Sequence, residues 1–184
     1  MEFMKIQIVA TLFIGFSFFS FNAEAAPITC NARQSATTCL LCNCYHETRG
    51  ESRDGMVAVA KVVLSRADSG VFPSSVCGVI YQPYQFSWTQ DRIRNNINAT
   101  TVDDKKALNE CKGAITTANN EGANGVLYYY NPSIASPAWA RQFNDCGPLG
   151  NHVFMTPKGT ACPRKLGASG IRPRQRPANS RGVR

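Results

Sequence analysis

Eight cysteines constrain this chain more than any other feature: Cys30, Cys39, Cys42, Cys44, Cys77, Cys111, Cys146 and Cys162. Whether they act as thiols, metal ligands or crosslinks depends on the compartment, and the start of the chain bears on that. Lys5 precedes an apolar run from Ile6 to Phe21, broken only by Gln7, Thr11, Gly15, Ser17 and Ser20. Ala23-Glu24-Ala25 then supplies small residues at a cleavage spacing. Residues 1–25 therefore read as a secretory signal peptide cut after Ala25. The run is shorter than the roughly 20 apolar residues of a spanning helix, which weighs against an uncleaved anchor. All eight cysteines follow the cut, and their number is even. In an oxidising compartment, periplasmic or extracellular, they are expected to form disulfides whose connectivity the spacing leaves open. Zinc at Cys39-x-x-Cys42 with Cys44 is the competing reading, weakened because no second well-spaced pair follows. The expectation is no metal and no cofactor.

The formal charge is +8, and Arg164, Lys165, Arg172, Arg174, Arg176, Arg181 and Arg184 account for nearly all of it. Residues 167–184 are Gly, Ala, Ser, Pro and Arg with almost nothing apolar. Such a stretch cannot bury a core and reads as a basic disordered tail. It can solubilise the chain or attract anionic envelope polymers over long range. Export argues against nucleic acid as its partner. Residues 26–166 are left as one domain, long enough to bury roughly 70% of its unfolded surface, and are expected to work as a monomer.

Within that domain the pattern is first helical and then loop-rich. Leu40, Leu41, Cys44 and Tyr45 predict a helix over 38–49. Ser52 or Asp54 can cap a second, in which Met56, Val59, Ala60, Val63, Leu64 and Ala67 form a continuous apolar stripe closed by Gly70. Pro73-Ser74-Ser75 opens a short helix bearing Val76, Val79 and Ile80. Thr101 and Asp104 begin another with Leu108, Cys111, Ile115 and Ala118 on one face, ending near Gly122. Cys111 on that face can meet a cysteine of a facing element. Val126 to Tyr130 is apolar and aromatic, Asn131-Pro132 turns the chain, and His152 to Met155 predicts a short strand. Gly, Pro and Asn between them predict ordered loops pinned by Cys146 and Cys162. The expected class is mainly α with some β.

The chemistry concentrates at His46-Glu47-Thr48-Arg49-Gly50-Glu51. A carboxyl group donates a proton near neutral pH only if burial raises its pKa. Glu47 follows an apolar helix face and can sit at the rim of a core. Glu51 lies past Gly50 among Ser52, Arg53 and Asp54 and reads as wetter, with Arg49 available to pair with it. Two glutamates and an arginine can equally be a solvated helix end. Tyr81, Tyr84, Phe86, Trp88, Tyr128, Tyr129, Tyr130 and Trp139 crowd two loop-like regions. Such rings stack on sugars when they are not core, and Gln82, Gln85, Asn131 and Asn151 can bind hydroxyls and acetamides. Two other chemistries fit less well. A zinc-protease H-E-x-x-H fails because position 50 is Gly. A cysteine nucleophile with His46 or His152 as base needs a free thiol.

The runs Glu47-Thr48-Arg49-Gly50-Glu51, Gly55, Val57-Ala58-Val59-Ala60, Val63-Leu64-Ser65-Arg66 and Phe72-Pro73 resemble the cell-wall hydrolase family of the SleB/CwlJ type. So do Val79-Ile80-Tyr81-Gln82, Gln85-Phe86-Ser87-Trp88, Tyr129-Tyr130-Asn131-Pro132, Ser136-Pro137, Trp139 and Gly150-Asn151-His152-Val153-Phe154. The ordered set runs over about residues 40 to 155. Thr48 departs from the family's alanine and Ser65 from its asparagine. The resemblance implies a lysozyme-like fold and action on peptidoglycan glycan strands, by hydrolysis or by lytic transglycosylation. It implies Glu47 as the catalytic acid; on the reading of the residues themselves, Glu51, Gln85, Tyr129, Tyr130 and Asn131 are the substrate-binding candidates, with Glu51 the weaker second candidate beside Glu47. A non-catalytic glycan-binding protein of the same fold is the alternative.

Overall fold

The computed structural model of the protein describes residues 26–91 and 95–167. The signal-peptide reading and nearly all of the basic tail fall outside those residues. Four helices come first: α1 (Ala36–Glu47), α2 (Arg53–Asp68), α3 (Val76–Ile80) and α4 (Val102–Glu121). Three strands follow: β1 (Tyr128–Tyr130), β2 (Phe143–Leu149) and β3 (His152–Pro157). The strands form one antiparallel sheet in the order β1-β3-β2.

Each helix starts where a hydroxyl can satisfy its free amides. Ser35 accepts from Thr38 N, Ser52 from Gly55 N, Ser75 from Gly78 N and Thr101 from Asp104 N. α1 therefore starts two residues before the expected Thr38. It also stops at Glu47 and does not run on to Arg49. The buried Thr48 hydroxyl donates back to Cys44 O at 2.6 Å. Gly50 then turns the chain at φ 85°, a conformation that favours glycine. Glu47 and Glu51 thus stand on either side of a turn, not on one helix face.

α2 is more central than a single stripe predicts. Met56, Val57, Ala60 and Val63 pack into one core with α1, α3 and α4. Ala58, Val59 and Val62 face a second core with Val126, Cys146, Phe154 and Leu166, on the sheet side. α2 therefore joins the helical part to the sheet. Leu166 is 2% exposed, and Gly167, which composition grouped with the tail, is buried against Asp54.

All eight cysteines are paired: Cys30–Cys42, Cys39–Cys77, Cys44–Cys111 and Cys146–Cys162. Cys111 of α4 does meet a facing element, α1. Three of the four bonds end on α1, tying it to the segment before it, to α3 and to α4. No thiol is left to serve as a nucleophile.

Candidate active site

Glu47 is the last residue of α1 and is half-buried. Burial raises its carboxyl above the ordinary value of 4.5, and burial is the sole cause of the rise. Among the described residues its carboxylate has no hydrogen bond or ion pair. It lies near Tyr129, whose phenol is pushed well up, first by burial and then by the Glu47 charge. Tyr129 sits on β1 opposite Phe154 of β3. Sheet register, not local sequence, brings it to the end of α1.

Glu51 is not the wetter carboxylate that its polar neighbours suggested. Its side chain is 6% exposed. It lies 3.3 Å from His152 Nδ1 and accepts from Asn151 N at 3.3 Å. It presses so closely on Gly150 that a side chain there would collide with it. Glu51 thus bridges the start of α2 and the β2–β3 turn. His152 stands edge-on to Tyr129 at 5.0 Å. Burial lowers its pKa, and Glu51 partly opposes that. The Glu47 charge thus acts on Tyr129, Tyr129 meets His152 edge-on, and His152 faces Glu51.

Arg49 does not pair with Glu51. Its guanidinium reaches Asp104 at 2.9 Å, alongside the Tyr45 hydroxyl, which donates to the same carboxylate at 2.8 Å. The hydroxyl of Thr101, then that of Tyr45, then Arg49 hold the Asp104 carboxyl below its usual range.

Gln85 contributes differently from a simple glycan contact. Its Oε1 accepts from Arg66 Nη1 at 3.0 Å, and Arg66 Nε donates to Leu127 O at 2.8 Å. Arg66 is 7% exposed, with its guanidinium 5.0 Å from the Phe72 ring centroid. It holds Gln85 and the approach to β1 in one place. Asn131 Oδ1 accepts from Ser133 N, a local turn that also uses its side chain. Tyr130 meets Trp139 edge-on at 6.0 Å, and Trp139 keeps 39% of its surface exposed. Of the expected aromatics, Phe86 and Trp88 are core, Tyr84 and Trp139 are exposed, and the rest are half-buried. The sequence reading left Arg66 and His152 out of the site. Arg66 follows Val62 and Val63 by one turn of α2, beside the apolar stripe, and that was the available signal for the first.

A family model described as Cell Wall Hydrolase matches residues 50–155. The chain belongs to the cell wall hydrolase family. The matched stretch begins just after Glu47, so that residue's place rests on α1 and its neighbours. Among similar family members, the spore cortex-lytic enzyme of Bacillus cereus is 37% identical over 111 residues, covering 60% of this chain and 40% of that protein. The Bacillus subtilis enzyme of the same name is 34% identical over 113 residues, covering 60% and 34%. The chain thus spans well under half the length of these curated relatives. The catalytic domain of the germination-specific lytic transglycosylase SleB from Bacillus anthracis superposes with a TM-score of 0.52 at 29% identity. That match covers 67% of this chain and 96% of the domain. The SleB catalytic domain from Bacillus cereus gives the same score and identity over 72% and 98%. This cell wall hydrolase therefore shares the lysozyme-like architecture of those domains, helical with a small sheet.

Proposed function

We propose that this protein is an exported enzyme that cleaves peptidoglycan glycan strands, with Glu47 as its acid and base. One observation carries the reading. Glu47 is a half-buried carboxyl with a raised pKa and, among the described residues, no hydrogen bond or ion pair, at the end of a helix pinned by three disulfides. Such a group keeps its proton to higher pH and can give it to the oxygen of a glycosidic bond. As that bond breaks, charge develops at the anomeric carbon. The disulfides suit an oxidising compartment, which supports export.

Lytic transglycosylation is favoured over hydrolysis. A hydrolase uses two carboxylates roughly 5–10 Å apart. Here no neighbouring carboxylate contributes to the Glu47 shift, and Glu51 is committed to His152 and Asn151. One carboxyl suffices if, after giving its proton to the leaving oxygen, it takes one from the sugar's own 6-hydroxyl. That oxygen then bonds the anomeric carbon, closing an anhydro ring and restoring the acid. The SleB relative is named as a lytic transglycosylase, which agrees. Tyr129, Tyr130, Gln85 and Asn131 border the path of the strand in this reading, with Glu51 supporting it from behind. The basic tail holds the enzyme near anionic polymers of the envelope.

The test is digestion of purified sacculi by the oxidised protein and by Glu47→Gln, with mass spectrometry of the released fragments. Anhydro-muramic ends from the wild type alone are expected. Reducing ends would make the enzyme a muramidase. Equal release by both proteins would remove Glu47 from its role, and binding without release would make the protein a glycan-binding module.

A further inference from the structure

The segment ahead of α1 lies outside the stretch matched by the family, yet it is firmly held. Ile28 and Ile97 exchange backbone hydrogen bonds of 3.0 and 2.9 Å. Cys30 is bonded to Cys42 of α1, and its amide donates to Asn96 Oδ1 at 3.2 Å. The fixed segment closes one side of a cavity of about 510 Å³, with Tyr81, Trp88, Asn95 and Asn96 among the opposite walls. That volume falls within the roughly 300–1,000 Å³ of small-molecule sites.

No charged residue is among the described residues lining the cavity. What the walls offer is aromatic surface, hydroxyls and amides. Asn31 Oδ1 is engaged by Arg33 N, as Asn96 Oδ1 is by Cys30 N. Each amide is thereby oriented, and neither NH2 group donates to any described residue. The Tyr81 ring lines the wall, while its hydroxyl is buried away from the opening with no partner among the described residues. Trp88 is rigid: its indole donates to Asn43 at 3.1 Å, and His46 stacks on it at 4.7 Å. His46 Nε2 lies 3.0 Å from Asn95 O. The next residue along α1 is Glu47.

We propose that this cavity is a subsite for an N-acetylated sugar residue of the glycan strand, built by the stapled segment 28–31 and placed beside the Glu47 end of α1. The free amide NH2 groups suit an acetamide carbonyl, and the aromatic wall suits the acetyl methyl and the ring face. The identity of the strand rests on the glycan-cleaving reading above. The fit of the cavity's amides and aromatic wall to an N-acetyl group does not.

The probe is the N-acetylglucosamine trimer, titrated into Glu47→Gln protein so that nothing is cleaved. Thr29→Trp fills the cavity from an exposed position, and Asn31→Ala removes one donor. Each is expected to weaken binding by about fivefold or more. Because Asn31→Ala also loses a local turn, the parent protein gives a second readout. The trimer should shift the Trp88 indole and the Asn31 and Asn96 side-chain amide signals in NMR spectra. Unchanged affinity in Thr29→Trp, or saturation without those shifts, overturns the proposal. Trimer binding by a wild-type protein that releases nothing from sacculi would sink the catalytic reading while leaving the subsite standing.

Discussion

Glu47 and Glu51 are four residues apart and differ in what surrounds them. Glu47 is buried with no hydrogen bond or ion pair among the described residues, so its proton is held more tightly in the folded chain than in the unfolded one. A carboxyl raised in this way stabilises the fold below its unfolded pKa, near 4.5, and that contribution is lost as pH rises through the folded value. Glu47→Gln removes the cost of ionisation. At pH 7 the variant should melt higher than wild type, and the gap should close as the pH falls toward 4. A melting series across that range checks it, and a variant that melts lower at pH 7 would contradict the assignment. The same substitution should lower the cleavage rate at least about a hundredfold. The wild-type rate should decline on the alkaline side of the raised Glu47 pKa. Stability and rate then move in opposite directions, as expected where an active-site carboxyl is kept at the fold's expense.

Glu51 and Arg66 act at the scale of elements, because each joins parts far apart in sequence. Glu51→Ala removes the acceptor of Asn151 N and the carboxylate facing His152. The expected loss is about 1–3 kcal/mol in chemical denaturation. The His152 pKa, followed by NMR, should fall further, since Glu51 is what raises it. Arg66→Lys should lower the denaturation midpoint, because an ammonium cannot bond Leu127 O and Gln85 Oε1 together as the planar fork does. A denaturation midpoint equal to wild type would refute that. These links were not legible in the sequence, and the reason is geometric. Asp104 meets Arg49 across 55 positions and Asn151 meets Glu51 across 100, whereas local reading paired Arg49 with its neighbour. The helices were legible because their hydroxyl caps and 3.6-residue stripes are local signals. β2 was not: Phe143-Asn144-Asp145-Cys146-Gly147-Pro148-Leu149 has no alternation and contains Pro and Gly. It exists because β3 pairs with it, because Tyr128 and Phe143 pack at 4.0 Å, and because Cys146 is bonded to Cys162. Glu47 itself was visible as a carboxylate following an apolar face. That no described residue bonds or pairs with its carboxylate was visible only in three dimensions.

For the whole molecule, three of the four disulfides tie down the helix that ends in Glu47. Cys44–Cys111 spans 67 positions and joins α1 to α4, while Cys146–Cys162 spans 16 and stays within the sheet region. A chain-entropy estimate gives about 4 kcal/mol for the first and about 3 kcal/mol for the second. By stability alone the two pairs differ little. By position they differ greatly, since one holds the helix that ends in Glu47 and the other closes a loop beyond the strands. Replacing both cysteines of each pair by alanine separates the two effects. Both variants should lose similar stability in denaturant. In conditions where both are still folded by circular dichroism, the Cys44→Ala/Cys111→Ala protein should lose the larger share of sacculus cleavage. The Cys146→Ala/Cys162→Ala protein should keep most of it. Equal activity losses would mean that α1 is positioned by its packed core residues Leu40, Leu41 and Tyr45, with the crosslinks adding only stability. A selective loss would mean that export to an oxidising compartment completes the site as well as the fold, because a reduced chain would hold the same carboxyl less firmly.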